Sequence, residues 1–226
     1  AGDSSVAIGS GTDATGRGAT AIGNLSKATG TWSTSVGGST VSGNYSTGVG
    51  NTTVTGEYST AVGNNISTAN DYTTAVGHSA KAESDYATAV GYETVASGSN
   101  STAIGYKARS TGENSIAISV GIDDRGATGS QSIAIGHASN AGADNTTSLG
   151  TSARATAEGA TALGYNTDAS GTNSLSIGNA AATEASNAIV IGPNAYVQRY
   201  GGIAIGNNAH SGATDSTLYG DYAIAI

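Results

Sequence analysis

Apolar residues in this chain recur in short alternating runs and never build a long face. In Ser101-Thr102-Ala103-Ile104-Gly105, small and larger side chains alternate over five residues and stop at glycine. Alternation with a period of two predicts a strand, and the glycine predicts the turn that ends it. The run returns along nearly the whole chain, closing at Gly9, Gly23, Gly37, Gly50, Gly63, Gly77, Gly91, Gly105, Ser119, Gly136, Gly150, Gly164, Gly178, Gly192, Gly206 and Gly220. Of the 15 intervals between these anchors, 12 are 14 residues long, two are 13 and one is 17. A second short run follows, as in Ala80-Lys81-Ala82 and Ala153-Arg154-Ala155. Its small side chains are expected to face inward and its charge to face water. Further glycines follow it at Gly30, Gly43, Gly56, Gly98, Gly112 and Gly171.

Two short strands and two tight turns fill 14 residues, so each unit predicts one coil stacked on the next in parallel sheets. At a strand spacing of ~4.8 Å, about 16 such coils predict a rod roughly 75 Å long. The aliphatic residue before each anchor is placed inside the roll, against the Ala and Thr of the second strand. The residue one further back is small in nearly every unit, as at Ala7, Ala21, Ala61, Ala75, Ala89, Ala103, Ala117 and Ala134. This small-residue face is expected to pack against identical chains, because a single roll with so thin a core is a poor fold alone.

Composition sharpens that picture mainly by exclusion. The chain has 226 residues with 35 Gly, one Pro, one Trp, and no Cys, Met or Phe. A core must therefore be built from Ala, Val and Ile. The net charge of −8, with 8 Lys and Arg scattered singly, is the wrong sign and pattern for a nucleic-acid partner. No apolar run is long enough to cross a bilayer, so no membrane insertion by this segment is expected. The chain opens Ala1-Gly2-Asp3 without a basic and then apolar leader, which predicts a mature fragment without its signal peptide.

Asn100-Ser101-Thr102-Ala103-Ile104-Gly105, Asn114-Ser115-Ile116-Ala117-Ile118-Ser119 and Asn173-Ser174-Leu175-Ser176-Ile177-Gly178 resemble the N-S-x-A-I-G head repeat of YadA-type trimeric autotransporter adhesins. The resemblance covers essentially the full chain. It implies an all-β fold, a left-handed parallel β-roll (solenoid) packed as a homotrimer. It also implies a place on the bacterial cell surface, tethered to the outer membrane by the full-length protein. Heads of this kind attach cells to extracellular matrix protein, to other cells or to abiotic surfaces. Residues 1–226 are then one repetitive head domain with a three-residue insertion near 120–126, cut from its neck, coiled-coil stalk and membrane anchor.

Five positions before each anchor, one column reads Trp32, Tyr45, Tyr58, Tyr72 and Tyr86, then Asn100, Asn114, Gln131, Asn145, Asn173 and Asn187 with interruptions. Stacked coils turn the first group into an aromatic ladder, which either contacts a ligand or braces the turn. Beside it runs an acidic column, Glu57, Asp71, Asp85, Glu113, Asp144 and Glu158, expected to be a solvated edge. Tyr92, Tyr106 and Tyr165 follow anchors and are further contact candidates. So are Asp123, Asp124 and Arg125 in the insertion, where the coil must bulge. His78, His137 and His210 are too far apart to share a metal, and no nucleophile, phosphate loop or metal motif stands out. The expectation is an adhesion module acting by multivalent contact, with no enzyme activity, cofactor or metal. The alternatives are a structural spacer in a surface fibre and an ice-binding β-solenoid. The Thr column that an ice-binding face would use runs from Thr20 to Thr102 but breaks at Ile116 and Ile133.

Overall fold

The computed structural model describes residues 2–119, 125–212 and 224–226, and among these it contains parallel strands and no helix. The chain divides into two compact units, Ala1–Ala108 and Arg109–Ile226. Each is a parallel β-solenoid, and the described residues make about 14 turns in all. The Gly220 anchor and part of the 17-residue coil lie outside the described residues.

Within the first unit, each short strand pairs with the same positions one coil later. Thr20, Ala21 and Ile22 lie opposite Thr34, Ser35 and Val36, and in the second run Lys81 and Ala82 lie opposite Val95 and Ala96. The second unit repeats the pattern, with Thr147, Ser148 and Leu149 opposite Thr161, Ala162 and Leu163, and Arg154 and Ala155 opposite Asp168 and Ala169. Ile116–Ile118 pairs in register with Ile133–Ile135, so the insertion leaves the strands that flank it aligned. Turns join the ladder too: the backbone N–H of Trp32 donates to the Arg17 carbonyl at 2.8 Å, and that of Tyr72 to the Glu57 carbonyl at 2.8 Å.

The inside of the roll is the reverse of the expectation for the first strand. Ala21, Ala61, Ala75, Ala89, Ala103, Ala117 and Ala134 are 0% exposed and line the chain's own interior. They are therefore not available as a packing face for other chains. Only Ala7, in the first coil, is exposed. The larger aliphatic residues next to them point out, and Ile22 (38%), Ile104 (37%), Ile118 (41%) and Leu163 (42%) remain exposed to the extent shown. The reason is the width of the lumen. Two strands and two tight turns enclose so little space that small side chains fill most coils, and of the isoleucines among the described residues Ile66 alone is buried (3% exposed). In the second strand the expectation holds: Ala80, Ala82, Ala153 and Ala155 are buried, while Lys81 and Arg154 face water.

Where a Val does enter, something opposite shrinks. Val41 and Val54 are buried, and the inward position against Val41 is Gly48. A Cβ there would stand 2.7 Å from Val41 Cγ2 and 2.8 Å from Thr52 Oγ1. One group of buried hydroxyls is also satisfied across the lumen. Ser26 Oγ and Ser35 Oγ are 2.8 Å apart, Ser35 Oγ and Ser39 Oγ 2.7 Å, and Ser39 Oγ donates to the Gly48 carbonyl at 3.0 Å. Such a core has no slack for added volume. Ala89→Leu is expected to cost roughly 1–3 kcal/mol or more in urea unfolding through overpacking, whereas Val90→Leu, one residue along, changes stability by less than about 1 kcal/mol.

The two 13-residue coils, Gly37 to Gly50 and Gly50 to Gly63, have lost a turn residue and kept their strands. In other coils the second residue after the anchor has left-handed φ, as at Leu25 (59°), Asn65 (56°), Ser79 (52°) and Lys107 (53°). In the short coils this position is missing, and the buried Ser39 and Thr52 arrive one residue sooner. Around Gly50 the two strands run together as Thr47–Val54. This strand pairs with Thr60–Thr68, where Asn65 is the bulged extra residue between the pairs Asn51–Asn64 and Thr52–Ile66.

Candidate functional site

The column five before the anchor is a turn position with a fixed backbone requirement. Trp32, Tyr45, Tyr58, Tyr72 and Tyr86 have φ between 54° and 60°, and the amide residues Asn100, Asn114, Gln131, Asn145, Asn173 and Asn187 between 53° and 60°. Asparagine suits this left-handed region, while an aromatic residue there bears a cost of roughly 1–2 kcal/mol. In the first unit ring stacking offsets it. Tyr45 and Tyr58, Tyr58 and Tyr72, and Tyr72 and Tyr86 lie with centroids 5.0, 4.9 and 4.8 Å apart and planes within 6° of parallel. Each such pair contributes about 0.5–1.5 kcal/mol, the same size as the strain.

The four tyrosines are 47–56% exposed. The Tyr72 phenol is held above its ordinary pKa, first by desolvation against its neighbours, then by Tyr86 and Tyr58 and by the Asp71 and Glu57 carboxylates. Trp32 belongs to the column but lies back over the preceding turn, where a Cβ at Gly18 would meet its Cδ2 at 2.7 Å.

A second ladder runs along the residue after the anchor. His78 stacks on Tyr92 at 5.2 Å, and Tyr92 on Tyr106 at 5.3 Å. Lys107 Nζ sits 5.5 Å from the Tyr106 ring centroid and 3.6 Å from Glu93 Oε2. A hydrogen bond with Glu93, then its negative charge, raises the Tyr92 pKa. In sequence, these tyrosines stand as separate contact candidates and His78 is weighed only as a metal ligand. The signal was the 14-residue spacing from His78 through Tyr92 to Tyr106.

The acidic column has a structural task. The Glu57 N–H donates to Asp71 Oδ1 at 2.8 Å, the Asp71 N–H to Asp85 Oδ1 at 3.1 Å, and the Ser130 N–H to Asp144 Oδ1 at 2.8 Å. Each carboxylate thus ties its own coil to the one before it. Asp123 and Asp124 lie outside the described residues. Arg125 is described, and its Nη1 donates to the Ala138 carbonyl at 3.4 Å. Among the described residues no three His, Asp or Glu gather in a way that would hold a metal, and no helix is long and apolar enough to cross a membrane. An open, polar depression lined by Asn65, Ser79, Lys81, Glu93 and Val95 lies on the first unit.

Compared with known proteins, residues 14–40, 42–65, 70–94, 96–118, 127–153, 141–167 and 169–195 each match the YadA head domain repeat (2 copies). No curated protein matches the chain. With that repeat recurring over most of its length, in both solenoid units, the chain belongs to the YadA head domain family of adhesin heads.

Proposed function

We propose that this chain is the head of a homotrimeric surface adhesin, and that both solenoid units belong to that one head. YadA-type adhesins form homotrimers, bind surfaces and are anchored in the outer membrane. The observation that carries the reading is the outer face of the first strands. There the aliphatic residue before each anchor stands in register with its counterparts, as Val62, Val76 and Val90 do in the first unit and Ile135, Leu149 and Leu163 in the second. Stacked, partly exposed aliphatic residues of this kind mark a protein interface. The occupant is a second and a third copy of this chain, since a closed symmetric assembly covers the same face on every subunit.

That arrangement leaves the turn columns outward, three copies of each around the axis. Weak contacts repeated on a stiff support add through avidity, which suits attachment to matrix protein, cells or abiotic surfaces. The contact residues in this reading are Tyr45, Tyr58, Tyr72 and Tyr86, with Tyr92 and Tyr106 on the second ladder and Trp32 and the segment of Asp123, Asp124 and Arg125 as further contacts. The spacer reading has an observation of its own, because the tyrosines satisfy one another by stacking.

The test replaces Tyr45, Tyr58, Tyr72 and Tyr86 by Asn in the full-length protein on cells. Asn already occupies this column in other coils, so circular dichroism and oligomeric mass should not change. Adhesion to matrix-coated and bare surfaces is expected to fall at least about tenfold as repeated contacts are lost. Undiminished adhesion with an intact fold would leave the first ladder as a brace within a spacer.

A further inference from the structure

The tyrosine ladder holds reactive groups in an arrangement that surface contact does not require. Tyr58 and Tyr72 face each other at 4.9 Å with planes 4° apart, and Tyr45 and Tyr86 extend the stack on either side. All four rings are about half exposed, so a large oxidant can reach them. The chain has no Cys, no Met and a single Trp. Thiols and thioethers, the usual first targets of oxidation, are missing, and the phenols are left as the main electron donors on the surface.

We propose that this ladder is a site of oxidative cross-linking, at which a haem peroxidase using hydrogen peroxide joins neighbouring tyrosines as dityrosine and staples one coil to the next. Each of two phenols gives one electron to the oxidised haem and its hydroxyl proton to water. The two phenoxyl radicals couple through a new C–C bond between ring carbons ortho to the oxygens. The hydrogen on each of those carbons leaves as a proton and each oxygen regains one, restoring both aromatic rings. Overall two ring hydrogens are removed and one peroxide is reduced to two waters.

Coupling needs two radicals close together before either decays, and the stack supplies that pairing. The partners sit at one turn position of adjacent coils, about one strand spacing of ~4.8 Å apart, on exposed side chains that rotate to bring ring edges together. Tyr165 is the internal contrast. At 61% exposed it is more open than any ladder tyrosine, yet among the described residues it stacks on no other ring. Exposure and pairing therefore predict different products.

The experiment treats the folded chain with a haem peroxidase and hydrogen peroxide, following dityrosine fluorescence and mapping linked peptides by mass spectrometry. The expected products are Tyr45–Tyr58, Tyr58–Tyr72 and Tyr72–Tyr86 links within one chain, with one between the stacked Tyr92 and Tyr106, each at least tenfold more abundant than any link to Tyr165. On a denaturing gel the product keeps the mass of one chain, and its melting midpoint rises. The variant Tyr58→Asn/Tyr72→Asn, which leaves Tyr45 and Tyr86 without neighbours, is expected to lose the ladder links and to keep the one between Tyr92 and Tyr106. Links distributed according to exposure, links mainly between chains on dilution, or consumption of Trp32 without dityrosine would each overturn the proposal.

Discussion

Gly77→Ala is expected to break the coil that it closes, lowering the free energy of unfolding by about 3 kcal/mol or more in urea titration. Gly77 has φ of 133°, a region that only glycine adopts with ease. A Cβ at this position would run into the Gly91 carbonyl of the next coil. That carbonyl cannot step aside cheaply, because the Gly91 N–H is held by the Val76 carbonyl at 2.8 Å. The chain supplies its own control. At the turn position two residues later, with φ near 56°, alanine already occurs as Ala138 (56°) and Ala180 (52°). Ser152→Ala, at the same position with φ of 57°, should therefore change stability by less than about 1 kcal/mol. In a stack where each coil contacts only its neighbours, one broken coil also divides the array, and two unfolding transitions are expected in place of one. A single transition at the wild-type midpoint would mean that the anchor conformation is not what closes the coil.

The second large effect concerns assembly and separates the outer face from the inner one. Val62→Lys with Val76→Lys is expected to turn a trimer into monomers in light scattering while strand content stays intact. Both side chains point out of the roll, so a single chain hydrates the new charges at little cost. Around a trimer axis, three like charges per coil would meet in a dry interface, at a cost of several kcal/mol per layer. Association should weaken at least about a thousandfold. Lysine at Ala61 and Ala75, each one residue earlier, would instead enter the lumen and unfold the chain, since both positions are fully buried. A double outer-face variant that keeps three times the chain mass would remove this face from the interface.

Sequence alone carried the period, the parallel stacking and the orientation of the second strand. These follow from spacing and from charged residues such as Lys81 and Arg154, which cannot point inward. It could not say which face of the first strand is inside. Alternation in Thr88-Ala89-Val90 defines two faces, and the usual rule that larger apolar residues go inside points the wrong way. The deciding quantity is lumen width, which depends on both strands together. A trace of it was present: the inward columns of both strands are mostly Ala, Ser, Thr and Gly, and Val41 coincides with Gly48. The turn column was legible as aromatic and amide ladders, but the left-handed φ that unites Tyr72 with Asn114 was not. Only the backbone makes that link, and it explains why Tyr in one stretch and Asn in another occupy the same position. The bonds from backbone N–H groups to Asp71 and Asp85 were missed for a similar reason, since an acidic column beside water looks the same whether or not it caps the neighbouring coil.

The short coils carry a consequence for heredity. A single residue dropped within a strand would carry every later side chain from one face to the other. The residue missing after Gly37 and after Gly50 comes from the turn, and Val41, Val54 and Thr68 still point inward in succession. Deletion of one codon from that turn is thus absorbed where it falls, and the reading of inside and outside resumes at once. Duplication or loss of a whole coil is absorbed in the same way, because each coil meets its neighbours through identical positions. A gene built from such units tolerates the slippage and unequal recombination that repetitive DNA invites, and its outer turns are free to diverge while the lumen stays constant.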